Sequence, residues 1–208
     1  MASLARLFLS LTSRGLAALG GVLLSIVVAR ITGAGGLGQF AVFLSLLGAL
    51  NILARRGLDF LLMRAVSWVL GQGGPGKAVA LLRSGIVSVL LPALGLGLAG
   101  SLLLSTGWLG APFPLSIILM PLMVPLLAGL ALVGGYARGR SRPWLFPAFE
   151  IGGVSLIATV LVVTMQALPF TSGAGTVIAG LVCALILLAL AAALMVRLDL
   201  RGSSVIPR

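Results

Sequence analysis

Six apolar runs, each near the roughly 20 residues that cross a hydrocarbon core, take up most of this chain. They lie at about 15–31, 37–54, 78–104, 115–136, 146–168 and 173–196. No water-soluble domain can be built around them. A soluble surface needs far more polar side chains than a sequence that is 60% hydrophobic and 8% charged can supply. The runs predict an all-α integral membrane protein: six transmembrane helices in a single lobe over 1–208, with no room for a separate soluble domain. Met1–Leu11 does not read as a cleavable signal peptide, because Arg14 interrupts the early apolar stretch and the run after it is too long for a signal core.

The linkers between the runs set the expected orientation. Arg6 and Arg14 precede the first run, and Arg55, Arg56, Arg64, Lys77 and Arg83 lie between the second and third or at their ends. Arg138, Arg140 and Arg142 separate the fourth from the fifth, and Arg197, Arg201 and Arg208 follow the sixth. The linkers 105–114 and 169–174 carry no charge. Basic loops stay in the cytoplasm, so both termini are expected there. Of the fourteen basic residues only Arg30 is then left at the far face. Trp68, Trp108, Tyr136 and Trp144 fall near the expected interfaces, where amphipathic rings settle. Around Trp68, Asp59, Arg64 and Ser67 mix with large apolar residues. This segment is expected to extend helix two or to lie as a helix on the cytoplasmic face, ending at the breaker Gly71–Gly76.

The net charge of +11 would suggest nucleic acid on a soluble protein. Here the basic residues sit between apolar runs without aromatic interleaving, which points to topology and contact with anionic membrane lipid and away from nucleic acid. One cysteine, Cys183, and no histidine leave no internal disulfide and no metal chemistry, so no cofactor is expected. No pair of acids and no nucleophile with a base is visible, so the chain is not expected to be an enzyme. Gly33, Gly35, Gly36 and Gly38 resemble a phosphate loop only loosely, because they join two membrane helices with no strand before them. Gly21, Ser25 and Ala29 have helix-packing spacing, and Pro92, Pro121 and Pro125 are expected to kink or open their helices.

Few polar residues remain as candidates for function. Arg30 either reaches the outer headgroups or turns inward to an anionic substrate. With Arg14 it brackets helix one, and the two could hold a pyrophosphate at alternate stages of transport. Asp59, five residues before Arg64, fits local pairing, helix-end electrostatics or ion coupling. Glu150, after Pro147, is expected in the opening turn of helix five near Arg138, Arg140 and Arg142, where the dipole favours a carboxylate; ion coupling is the alternative. Asn51 and Gln166 lie near helix ends as candidate cavity-lining residues.

The stretches Ala29-Arg-Ile-Thr-Gly33 with Gly38-Gln-Phe-Ala41, then Arg56-Gly-Leu-Asp59 and Met63-Arg-Ala65, resemble the opening of bacterial polysaccharide (oligosaccharide) flippases. These belong to the superfamily that also holds lipid II flippases and multidrug exporters. Gly134-Gly-Tyr-Ala-Arg-Gly-Arg140 resembles the same family's basic loop more weakly. The linker Ala34-Gly-Gly-Leu37 departs from the family pattern, which carries a proline and an acid there. The resemblance implies the N-terminal lobe of a flippase-like fold in the bacterial cytoplasmic (inner) membrane, moving a polyprenyl-diphosphate-linked oligosaccharide for polysaccharide export. Arg30, Arg14 and Arg64 would then bind substrate, and Asp59 and Glu150 would be the ion-coupling candidates. Family members have two lobes, so the resemblance further implies a half-length or truncated form completed by a homodimer partner or a separate chain. A non-transporting subunit of a glycan-synthesis complex and a drug or metabolite exporter of the same superfamily are the alternatives.

Overall fold

The computed structural model describes residues 2–72, 74–107, 113–167 and 174–203, and within these every regular element is helical. In chain order they are α1 (Ala2–Arg55), α2 (Leu58–Gly71), α3 (Pro75–Ser105), α4 (Pro114–Gly139), a 3-10 helix (Pro143–Phe149), α5 (Ile151–Gln166) and α6 (Ala174–Ser203). Four stretches are long and apolar enough to cross a membrane: Phe8–Arg55, Gly76–Ser105, Pro114–Gly139 and Gly175–Leu200. The 3-10 helix and α5, bent by 56° where they meet, pass the same test together and make a fifth. By helix length and composition the chain is a multi-pass membrane protein.

The boundaries differ from expectation in two places. The first concerns helices one and two, expected at 15–31 and 37–54. Helical geometry runs from Ala2 to Arg55 and departs from helical angles at Gly33, with φ 72° and ψ −175°. That corner of backbone space is open to glycine and strained for any residue with a Cβ. Unbroken, the 48 residues of Phe8–Arg55 would extend about 72 Å, more than twice the hydrocarbon thickness. The contacts show that the chain turns back instead. A Cβ on Gly20 would come within 2.7 Å of the Gly152 carbonyl oxygen in α5, and one on Gly48 would touch the Ile151 side chain at 3.6 Å. A straight helix would hold Gly20 and Gly48 about 42 Å apart. Both can reach neighbouring residues of α5 only if residues 2–32 and 34–55 form two legs folded back at Gly33.

The second difference is helix five, expected at 146–168 with Pro147 as its first residue. Pro147 lies instead inside the 3-10 helix, and α5 begins at Ile151. Proline at 147 has no N–H to return to residue 143, so an α-helix through this segment would lack that hydrogen bond, and the segment takes 3-10 geometry. Glu150 breaks the two pieces in an extended conformation, φ −92° and ψ 171°.

The segment around Trp68 is a helix of its own. Arg56 and Gly57 take positive φ and end the second leg before α2 starts. Asp59, Leu62, Val66 and Val69, spaced by three and four, form the buried stripe of α2. Gly135 and Gly139 of α4 admit its backbone closely. Phe60, Leu61 and Trp68 stay exposed on the opposite side. Helix α4 is the centre of the bundle, touching α1, α2, α3, α6 and the 3-10 helix. Met120, Met123, Leu127 and Leu132 on α4 are fully enclosed, with Leu24 and Phe40 of α1 against the same core. α3 and α4 run on through Pro92 and through Pro121 and Pro125 as single helices.

Candidate functional site

The hairpin at Gly33 gives the bundle two unlike ends. Asn51 lies about 27 Å along the second leg from Gly33. The end near Asn51 gathers nearly all the charge. There Arg55 Nη1, at the end of α1, sits 3.4 Å from Asp59 Oδ2 in the first turn of α2, across the break at Arg56 and Gly57. On the far side of α4, Arg140 Nη1 is 3.2 Å and Arg142 Nη1 3.7 Å from the carboxylate of Asp199 on α6. The Tyr136 hydroxyl accepts from Arg140 and donates to Asp199 at 3.4 Å, which ties α4 to α6. Arg138 lies over the Phe146 ring of the 3-10 helix, a cation–π contact. Glu150 faces the charges of Arg138, Arg55 and Arg14, with Asp59 also in range.

A recess of about 250 Å³ opens within this end. Asn51, Arg55, Leu127, Phe149, Glu150 and Gly152 contribute to its walls. Asn51 is 4% exposed, and among the described residues its side-chain oxygen has no hydrogen-bond partner. A second, shallower groove of about 470 Å³ runs along the first leg, with Gly21, Val22, Ser25 and Ala29 as its floor and Leu37 reaching in from the second leg. Arg14 belongs to the same helix face by register, four residues before Ala18, which also lines the groove. Arg30 adjoins Ala29 at the groove's other end and is exposed.

The structure separates the five residues singled out from the sequence. Arg14, Asp59 and Glu150 come together at the charged end. Arg30 stands alone near the hinge and makes no ion pair among the described residues. Sixteen residues of helix put it about 24 Å from Arg14. Arg64 is exposed on α2, and its backbone carbonyl accepts from the Ser67 hydroxyl. Local pairing of Asp59 goes to Arg55 and not to Arg64, which lies about 140° around the helix from it. Arg140 and Arg142 likewise turn to Asp199, leaving Arg138 as the loop arginine that faces Glu150. Gln166 bonds Thr176 across α5 and α6 at 3.1 Å.

Sequence reasoning passes over Asp199 and treats Arg55 only as a loop charge, while it places Arg138 beside Glu150, as the structure does. The four-residue spacing of Arg55 and Asp59 signals their pair. Asp199 is one of only three acids in the chain, and that rarity is its signal. Tyr136, expected at a membrane interface, is fully buried instead, because α4 is enclosed on several sides and Asp199 meets its hydroxyl. Trp108 lies outside the described residues. Among the described residues no group of three or more His, Cys, Asp or Glu side chains is placed to hold a metal. Compared with known protein families, curated proteins and solved structures, the chain matches none.

Proposed function

We propose that this protein is a flippase-like membrane transporter. It carries a polyprenyl-diphosphate-linked saccharide from the inner to the outer leaflet of a bacterial cytoplasmic membrane. Each leg of α1 counts as one crossing, which gives six, and the charged end with both termini faces the cytoplasm, as the positive-inside rule favours. The observation that carries the reading is the groove on the first leg. Its floor of small residues admits a chain-like ligand, and its ends lie near two exposed guanidinium groups, Arg14 and Arg30. Guanidinium groups recognise phosphate oxygens through charge-assisted hydrogen bonds, while the apolar walls of the groove suit a polyprenyl tail. Passage between leaflets needs a second body to rock against this one. A second copy or a partner chain supplies it.

The test is translocation of a fluorescent polyprenyl-diphosphate sugar in liposomes of purified protein. Loss of the Arg30 guanidinium in Arg30→Ala should slow transfer by about ten- to a hundredfold, the scale of a lost charged hydrogen bond. Arg197→Ala, an exposed arginine of α6, should transfer at the parent rate. Equal rates in the two variants would remove Arg30 from the mechanism. No transfer by the parent, together with co-purification of a glycosyltransferase, would replace the transporter with a glycan-synthesis subunit.

A further inference from the structure

The recess at the charged end is a built polar site that the groove-based mechanism leaves unused. Its defining feature is the Asn51 carboxamide, a buried group whose oxygen lacks a donor among the described residues. An acceptor left in this state costs about 1–3 kcal/mol, so a position that keeps it calls for an explanation in ligand chemistry. The rest of the lining narrows the choice. Arg55 and Glu150 stand on opposite elements of the same recess, with Arg14, Arg138 and Asp59 in electrostatic range of Glu150. A bare cation would meet the guanidinium groups. A bare anion would meet the Glu150 carboxylate. An apolar ligand would leave the Asn51 oxygen as it is.

We propose that this recess binds a phosphodiester that carries free hydroxyl groups, in the form of a glycerol-phosphate lipid headgroup. Phosphate oxygens accept from Arg55, while the hydroxyls donate to the Asn51 oxygen and to Glu150. A carboxamide that turned over to present its NH2 would still be satisfied, because a hydroxyl also accepts. The charges agree as well. Three guanidinium groups (Arg14, Arg55 and Arg138) less two carboxylates (Asp59 and Glu150) leave one positive charge, which one phosphodiester cancels. The volume fits a headgroup: about 250 Å³ is below the roughly 300–1,000 Å³ that takes a drug-sized ligand. Phe149, Ile151 and Leu127 supply apolar walls for its carbon atoms. The site stands whether or not the protein moves a saccharide.

Native mass spectrometry of the purified full chain tests it, with phosphatidylglycerol and phosphatidylcholine added in equal amounts. Phosphatidylcholine has the phosphodiester and lacks the hydroxyls. The parent should retain phosphatidylglycerol preferentially. Glu150→Gln and Asn51→Leu should each cut that preference by about two- to tenfold, the scale of one hydrogen bond. Asn51→Leu also removes an unpaired buried acceptor, so its melting temperature should not fall, and lost lipid selectivity cannot be blamed on unfolding. Arg83→Gln, an exposed position on α3, controls for general attraction to anionic lipid and should keep the preference. Soluble glycerophosphoglycerol separates the two sources of this chemistry. Competition by it shows that the headgroup alone is recognised, and preference that survives it shows that acyl chains are needed too; the site stands in both cases. Equal retention of the two lipids by the parent, or undiminished preference in both recess variants, overturns the proposal.

Discussion

The two ends of the bundle are held by different forces. At the charged end, Asp59 and Asp199 each pair with arginine, Glu150 sits among Arg14, Arg55 and Arg138, and Tyr136 links α4 to α6. At the other end the described polar links are neutral: Gln166 to Thr176 and the Ser101 hydroxyl to the Ile117 carbonyl. Arg30 stands there without an ion pair among the described residues. The contrast assigns the acids. Asp59 and Asp199 form ion pairs that join elements at this end, while Glu150 stands in the field of Arg138, Arg55 and Arg14. Separating the helices costs least at the bare end, where few polar contacts must be broken.

The largest effect should come from breaking the contact that closes the hairpin onto α5. A Cβ on Gly152 would lie 2.7 Å from the Ala17 carbonyl oxygen, and the obstruction is backbone that cannot rotate away. Gly152→Leu should therefore cost about 3 kcal/mol or more, seen as a collapsed monodisperse peak and a lower melting temperature in detergent. A variant as stable as the parent would show that the first leg does not pack there, and the two-ended bundle would fall with it.

Next comes the polar lock between α4 and α6. Asp199→Asn leaves Arg140 and Arg142 without their carboxylate. The Asp199 side chain is 9% exposed, whereas Arg142 is 46% exposed, so part of the effect is screened by water. A loss of about 1–2 kcal/mol is expected, shrinking as salt is raised. A double-mutant cycle with Arg140→Gln measures the coupling, and a coupling near zero would show that the pair is only incidental at this end.

How far the sequence anticipates this contrast depends on the residue. The apolar runs announce a membrane protein because nothing else accommodates so few charges. The hairpin turn is legible at Gly33 only as a glycine-rich linker. Its tightness is not, since a single glycine in an unusual conformation can do the work assigned to five or six linker residues. Pro147 is legible as a helix start in the wrong place: its fixed φ suits a first turn, but Glu150 and the close approach of Gly152 to Ala17 decide where α5 begins. Asp59 misleads toward Arg64, because a five-residue spacing looks short along the sequence and is far around a helix. Asp199 pairs across more than fifty residues of chain, a distance no local pattern reports. The recess around Asn51 is of the same kind, since its walls come from three stretches that meet only in the folded chain.

The smallest effect sharpens the contrast most. Arg30 is exposed and makes no ion pair among the described residues, so removing its charge breaks no ion pair among them. Arg30→Leu should change stability by less than about 0.5 kcal/mol, as exposed substitutions away from packed features do. A guanidinium near the hydrocarbon is itself unfavourable, so the melting temperature should not fall. The comparison is with Asp199→Asn in the same detergent and salt. A melting temperature that falls as far in Arg30→Leu as in Asp199→Asn would mean that Arg30 has a partner holding the bare end, and the asymmetry would be lost. An unchanged melting temperature leaves Arg30 with no structural task, so any slowing of saccharide transfer in Arg30→Ala must come from what its guanidinium meets outside the chain.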